Sequence, residues 1–523
     1  MTPPEDPAIR RLAFGAQLTR AAQARPDDVV YTSPERTLTW AELDRRVHGL
    51  AAGLADLGVR HGDRVAVLMR NRLEVVETYL AALRLGAIAV PLNFRLTGPE
   101  IRFILDDCTP SVLVTEKALS GAVPAGPADP VTVVVDATKG ADVDFEHLVA
   151  GAVVRPPVDV VENDAAFCMY TSGTTGHPKG AVLTHLNLVA SAFAISLATG
   201  GRHADVRLLA VPMFHIAGVA NLLGPLLDRG RLIVPPGDTF DPSATLDLLE
   251  REQVTSCFFV PTQWQAICAV PGARDRDLAL RLPYWGASSA PPSVLEAMAE
   301  TFPGAPSFAA FGQTETSATT CLLSGADALR KQGSVGRPVP TVEIRLVDED
   351  MKDVPVGEVG EIVYRGPTVM SHYWGAPEAT AEAFVGGWLH SGDLCRMDDE
   401  GFLYVVDRKK DMIISGGENI YCAEVEAAID SHPGVAEVAV VGVEHPVWVQ
   451  TPRAFVVPRD PSRPPSAEEI IEHCRTRLAS YKKPTSVVIV EALPRNAGGK
   501  VQKFRLREHG GSADRPATPV SID

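Results

Sequence analysis

Short apolar runs alternate with amphipathic stretches through most of the chain, which predicts strands alternating with helices in an α/β fold. Thr39 and Glu42 form a T-x-x-E capping box, and Leu43, Val47, Leu50, Ala51 and Leu54 follow at helical spacing, so a helix starts here. Gly58 and Gly62 break it, and the run at 64–69 (RVAVLM) reads as a buried strand. The last ~115 residues carry their own pattern, the length of a small α/β unit. Residues 435–443 and 453–457 read as strands, Ser466 and Glu469 cap a helix bearing Ile470, Ile471, Cys474 and Leu478, and 486–490 reads as a third strand. Upstream of that unit runs the charged stretch Asp407-Arg-Lys-Lys-Asp411, placed between two apolar regions as a hinge would be. Segment 120–131 reads as a surface loop, and the tail from Gly510 has no apolar period and reads as disordered.

A length of 523 residues adds a prior of roughly three domain-sized units, which can merge into one large body and one small one. The net charge of −16 argues against a dedicated nucleic-acid binder, whose affinity comes from Lys and Arg on phosphates, but leaves room for a local basic nucleotide pocket. The 8 cysteines are scattered with no CxxC pair, which disfavours a zinc site or a disulfide framework and fits a reducing cytosol. The N-terminus begins acidic and Pro-rich rather than basic and then apolar, and the longest apolar stretch, 212–227, is too short to span a bilayer. The expectation is a soluble cytoplasmic protein.

The segment YTSGTTGHPKG, Tyr170 to Gly180, carries the most chemistry and follows a predicted strand at 165–170. Its glycines let backbone N–H groups approach a polyphosphate, its hydroxyls add donors, and Lys179 adds a positive charge. The P-loop pattern G-x-x-x-x-G-K-[ST] does not fit, because Pro178 precedes the lysine and Gly180 follows it. Alone, such a string also reads as a mobile Ser/Gly loop. Four later elements change that balance: Phe311-Gly-Gln-Thr-Glu-Thr316, Trp388-Leu-His-Ser-Gly-Asp393, Asp407-Arg-Lys-Lys-Asp-Met-Ile-Ile-Ser-Gly-Gly417 and Pro494-Arg-Asn-Ala-Gly-Gly-Lys500.

In this order the five elements resemble the signatures of the adenylate-forming superfamily, which holds acyl- and aryl-CoA synthetases, luciferases and peptide-synthetase adenylation domains. The resemblance runs over roughly residues 10–508, and the subgroup is similar to bacterial fatty-acyl-CoA ligases. It implies a large N-terminal α/β body over 1–406 and a small mobile C-terminal α+β domain over 407–523, with a hinge at Asp407 and Arg408 and a lysine loop at 494–503. It implies an acid–thiol ligase that uses ATP, Mg2+ and coenzyme A. ATP contacts would come from Thr171, Ser172, Gly173, Thr174, Thr175 and Lys179. Gly286, Ala287, Ser288, Ala310 and Phe311 would line the adenine slot, with core packing as the competing reading, and Gly312 and Thr314 would add further ATP contacts. Glu315 and Thr174 would hold the metal, since hard cations take oxygen ligands. Asp393 would accept the ribose hydroxyls and Arg408 would hold ribose or phosphate. Lys500 would bring the substrate carboxylate and the α-phosphate together as charge builds between them. After a domain rotation, Ser415, Gly416 and Gly417 would admit the pantetheine arm.

The acyl pocket is implied at Phe214, His215 and Gly218, with Gln263, Trp264 and Trp285 either lining it or belonging to the core. His215 would gate the carboxylate end, with a core histidine as the competing reading. An aspartate in place of His215 would mark an amino-acid substrate, so the chain points to an apolar carboxylic acid. Loading of a separate carrier protein, a homodimer, and a partner that supplies an adenylate are left open by the sequence; a non-catalytic binding protein is disfavoured by the presence of Glu315, Asp393, Arg408 and Lys500. Two departures from relatives lie in the C-terminal region. Ala497 and Gly498 stand where Pro and Thr or Ala are usual, and Val449-Gln450 stands where Gly-Glu is common. The first loosens the Lys500 loop at a cost of about 1 kcal/mol, a few-fold in rate. That would bias the enzyme against adenylation, yet the arithmetic is too small to abolish the step and favours neutral drift in an exposed loop.

Overall fold

A computed structural model describes residues 12–137, 143–151, 158–171, 178–202, 205–235, 240–286, 290–415, 418–495 and 499–509. The chain divides into two compact units: Met1–Ile344 with Tyr364–Leu389 and Gly401–Leu403, and Arg345–Val363 with His390–Glu400 and Tyr404–Asp523.

The first unit holds two large sheets. One has eight strands in the order His372–Tyr373, Lys179–Thr184, Ala165–Thr171, Ile88–Pro91, Arg64–Leu68, Val112–Glu116, Val131–Val135 and Val143–Asp144. Its centre is parallel, and the strand expected at 64–69 sits there as Arg64–Leu68 with its last four residues buried, as a continuous apolar run requires when helices cover both faces. The helix expected after Thr39 is Trp40–Asp56, and both capping-box bonds form, Glu42 N donating to Thr39 Oγ1 at 3.3 Å and Thr39 N to Glu42 Oε2 at 2.9 Å. The second sheet has nine strands, with Ser256–Phe259, Leu282–Gly286 and Phe308–Phe311 parallel neighbours and Cys321–Leu323 antiparallel to the last. The 120–131 segment is a connection with one short 3-10 turn at Ser120–Ala122.

The second unit carries most of a four-stranded sheet, Glu343–Val347, Val359–Arg365, Leu389–Met397 and Leu403–Arg408. It also has a smaller sheet built on the hairpin Val435–His445 and Val449–Pro458, with Ile413–Ser415 and the parallel strand Ser486–Ile489 beside the second arm. The capped helix is Ala467–Arg475, and Ile470 and Cys474 pack with Ile413, Val425, Val440 and Val456 in one core. At the hairpin tip Val449 has φ 69°, in the left-handed region where a β-branched residue is strained. Val447, Trp448 and Val449 are all more than half exposed there. No helix among the described residues is long and apolar enough to cross a membrane, and all eight cysteines are free thiols. The tail from Gly510 lies outside the described residues.

Candidate active site

The phosphate-loop string is built between two antiparallel strands. Thr171 ends Ala165–Thr171 and Lys179 begins Lys179–Thr184, and the two are register partners. The loop thus leaves and re-enters the sheet at one point; Ser172, Gly173, Thr174 and Thr175 lie outside the described residues. Glu315 reaches the same point from the other sheet, on a single 3-10 turn, Thr314–Thr316, that follows Phe308–Phe311. Its Oε1 accepts hydrogen bonds from Thr171 Oγ1 at 3.3 Å and from the Tyr373 hydroxyl at 3.1 Å. Lys179 Nζ lies 5.4 Å from the centre of the Tyr373 ring, within cation–π range. Burial, and then the charge of Glu315, push the Tyr373 phenol up, so it holds its proton as a donor. One carboxylate beside hydroxyl oxygens suits a hard cation that keeps most of its shell from phosphates and water. No group of three or more His, Cys, Asp or Glu able to hold a metal by itself occurs among the described residues.

Gly286 and Ala310 are register partners at the ends of adjacent parallel strands. A Cβ on Gly286 would sit 2.5 Å from the Ala310 carbonyl oxygen, so the position admits only glycine. Phe311 is half-buried, Gly312 and Thr314 continue toward Glu315, and Ala287 and Ser288 lie outside the described residues.

Phe214 is buried, edge-on to Phe94 with ring centres 5.4 Å apart, and His215 lies against it at 4.4 Å. His215 is exposed at the N-terminus of the helix Ile216–Asp228, so it is no core histidine. Gly218 lets the first turn of that helix close onto the Pro212 carbonyl, which any Cβ would strike. Trp264 is fully buried edge-on to Phe259 and Phe302, and its indole donates to the Tyr284 carbonyl at 2.8 Å. Gln263 spends its side-chain oxygen on Val260 N, at 3.2 Å, capping its own helix. Trp285 is in register with Phe259 and Ala309, and strand alternation puts it on the face opposite Gly286 and Ala310. It is buried, and its indole N–H has no partner among the described residues.

In the second unit Asp393 is buried and paired to Arg408, Oδ1 to Nε at 2.5 Å. The strand segment that carries Asp393 is held by Glu361, which accepts from Gly392 N, His390 Nδ1 and Lys409 Nζ, each at 3.0 Å. Burial works to raise the Glu361 carboxyl, but the hydrogen bonds from His390 and Lys409 outweigh it and leave the group below its ordinary value. Asp407 is buried and accepts from Arg408 N at 2.7 Å and Ala423 N at 3.4 Å; burial raises its carboxyl. Ser415 is buried at the end of Ile413–Ser415, opposite Val449, while Gly416 and Gly417 lie outside the described residues. Lys500 is exposed. The base of its loop is closed by a bridge between Arg495 and Val501 and by Gln502 N donating to the Pro494 carbonyl at 2.8 Å.

Sequence reasoning passed over Tyr373 and Glu361. Tyr373 lies in the two-residue strand His372–Tyr373 and Glu361 in the mostly apolar strand Val359–Arg365, neither with a spacing that announces it.

The model of the AMP-binding enzyme family matches residues 18–374, and that of the AMP-binding enzyme C-terminal domain matches 424–500. A feruloyl-CoA synthase of Amycolatopsis sp is 40% identical over 515 residues, covering 96% of this chain and 100% of that protein. An indoleacetate–CoA ligase of Aromatoleum aromaticum is 39% identical over 499 residues, covering 94% and 97%. Among solved structures, o-succinylbenzoate CoA synthetase from Bacillus subtilis, in complex with its acyl-adenylate intermediate, superposes with a TM-score of 0.84 at 34% identity, covering 96% and 99%.

Proposed function

The chain belongs to the AMP-binding enzyme family, and on that premise we propose that it is an AMP-forming acid–thiol ligase that makes the CoA thioester of an apolar carboxylic acid. The reading is carried by Glu315, 144 residues from Thr171 in sequence, meeting Thr171 and Lys179 at the mouth of one loop. In the first step the substrate carboxylate attacks the α-phosphorus of ATP, the bond to the β-phosphate oxygen breaks, and pyrophosphate leaves an acyl-adenylate. The nucleophile comes with the substrate, so the protein's task is to position two anions and neutralise the charge between them. Lys179 and the 171–175 loop hold the phosphates, Asp393 and Arg408 the ribose, and Lys500 the reacting oxygens. Glu315 and Thr174 would hold Mg2+, which would supply Lewis-acid neutralisation of the phosphates. In the second step the CoA thiol gives up its proton to solvent, the sulfur attacks the acyl carbonyl, and the carbonyl–phosphate oxygen bond breaks to release AMP. The domain at 407–523 turns about Asp407, exchanging the Lys500 loop for Ser415-Gly416-Gly417 between the steps.

The pairing of buried Phe214 with half-buried Phe94 beside His215 supports an apolar acyl group, and two of the relatives are named for aryl acids, which puts aryl acids first in a panel. The place of work is the cytosol, where ATP, CoA and reduced thiols coexist. Pyrophosphate exchange and thioester formation across an acid panel test the reading. Exchange with CoA-thioester product supports it; exchange with transfer only to a carrier protein, or no exchange with any acid, would overturn it.

A further inference from the structure

We propose that Tyr373 is a positioning residue of the ATP site: its hydroxyl fixes the Glu315 carboxylate, leaving Oε2 for a cation, and its ring holds the Lys179 ammonium beside it. The assignment rests on the ligase reading above. Both hydroxyls that reach Glu315 converge on one oxygen, Oε1, from Thr171 at 3.3 Å and Tyr373 at 3.1 Å. Oε2 has no hydrogen-bond partner among the described residues, and no cation pairs with Glu315 there. Two donors on one oxygen remove the rotational freedom of the carboxylate, which a single bond would leave.

Tyr373 is itself held firmly. Ser371 N donates to the Val182 carbonyl at 2.9 Å and Trp374 N to that of Gly180 at 2.7 Å, so the residues on either side are tied to the Lys179–Thr184 strand. Met370 N donates to the carbonyl of Glu315 at 2.8 Å, and Tyr373 N to Thr380 Oγ1 at 3.0 Å. One short segment is therefore fastened to the backbone of Glu315 and to the strand that starts at Lys179. Its tyrosine then contacts the side chains of both. Ring and hydroxyl do separate work, and two variants separate them.

The test is a Mg2+ titration of ATP binding by calorimetry, run beside pyrophosphate exchange. Tyr373→Phe keeps the ring and removes one hydrogen bond to a charged group, so the Mg2+ concentration for half-maximal ATP binding rises about tenfold. Its melting temperature and its KM for acid and CoA stay at wild-type values. Tyr373→Leu shows the same rise and also weakens metal-free ATP binding a few-fold, because Lys179 loses its ring. A Tyr373→Phe protein with wild-type Mg2+ dependence overturns the proposal, whether or not its melting temperature falls. Glu315→Gln is the control. If it shifts the Mg2+ dependence and Tyr373→Phe does not, the positioning role fails and the ligase reading stands. If the wild-type protein binds no ATP at any Mg2+ concentration, the ligase reading fails and takes the proposal with it.

Discussion

Glu315 and Asp393 are both carboxylates proposed to serve ATP, and their surroundings differ in kind. Glu315 is half-buried and touched by two neutral hydroxyls, with no cation paired to it among the described residues. Asp393 is buried and already paired with Arg408 at 2.5 Å, on a strand segment clamped by Glu361, His390 and Lys409. A carboxylate left uncompensated beside a phosphate loop is prepared for a positive ligand, whereas one already neutralised is prepared to accept hydrogen bonds. The same functional group is thus proposed as a metal ligand in one region and a hydroxyl acceptor in the other, and its neighbours make the difference.

The largest expected effect comes from removing the uncompensated charge. Glu315→Gln lowers the rate of pyrophosphate release about a hundredfold, with a raised Mg2+ requirement. Asp393→Asn instead raises KM for ATP about tenfold and leaves the Mg2+ requirement unchanged. Steady-state kinetics at several Mg2+ concentrations checks both, and identical Mg2+ profiles for the two variants would erase the distinction.

The clamp gives the comparison a pH dependence. The Glu361 carboxyl lies below its ordinary value of 4.5 in the folded protein, so its contribution is present above that pH and is lost as pH falls through the folded value. If Asp393 holds the ribose as proposed, AMP affinity in the wild type weakens as pH falls through that folded value, below 4.5. Glu361→Gln is weaker at neutral pH and loses that acid-dependent step; fluorescence titration at several pH values checks it. The same sign logic applies elsewhere. Burial holds His185 neutral, its pKa lowered to about 4 from 6.5, so it costs stability as pH falls across that window. The order of magnitude is about 3 kcal/mol, and His185→Gln flattens the dependence of the melting temperature between pH 7 and 4.

The smallest effect belongs to the hairpin tip. Val449→Gly relieves the strain of φ 69° and stabilises the protein by about 1 kcal/mol, read in a chemical denaturation curve. Activity with a supplied acyl-adenylate and CoA shows whether the strained valine also serves the thiol step.

Patterned features were legible in the sequence and unpatterned ones were not. The capping boxes at Thr39–Glu42 and Ser466–Glu469 both form, because each is a local code whose partners lie three residues apart. The strands at 64–68, 165–171 and 486–489 were readable from apolar runs, though the hairpin arms extend further than expected, to His445 and from Val449. Val449 shows in the sequence as a departure from glycine, and its φ of 69° is the backbone demand behind that trace. Tyr373 and Glu361 left no trace, because their partners are set by long-range strand pairing that no local spacing encodes. Trp264 and Gln263 show the reverse. Both were candidates for the pocket, and the structure gives Trp264 a core packing role and Gln263 a helix cap.

The central claim is that the substrate's own carboxylate attacks ATP, and isotope transfer tests it most directly. The protein is incubated with ATP, Mg2+, CoA and an acid whose carboxylate carries heavy oxygen, and the AMP is weighed by mass spectrometry. Attack by the substrate carboxylate gives AMP carrying one labelled oxygen together with an equal amount of acyl-CoA. Thioester formed with ADP, or AMP whose added oxygen comes from water, would contradict it.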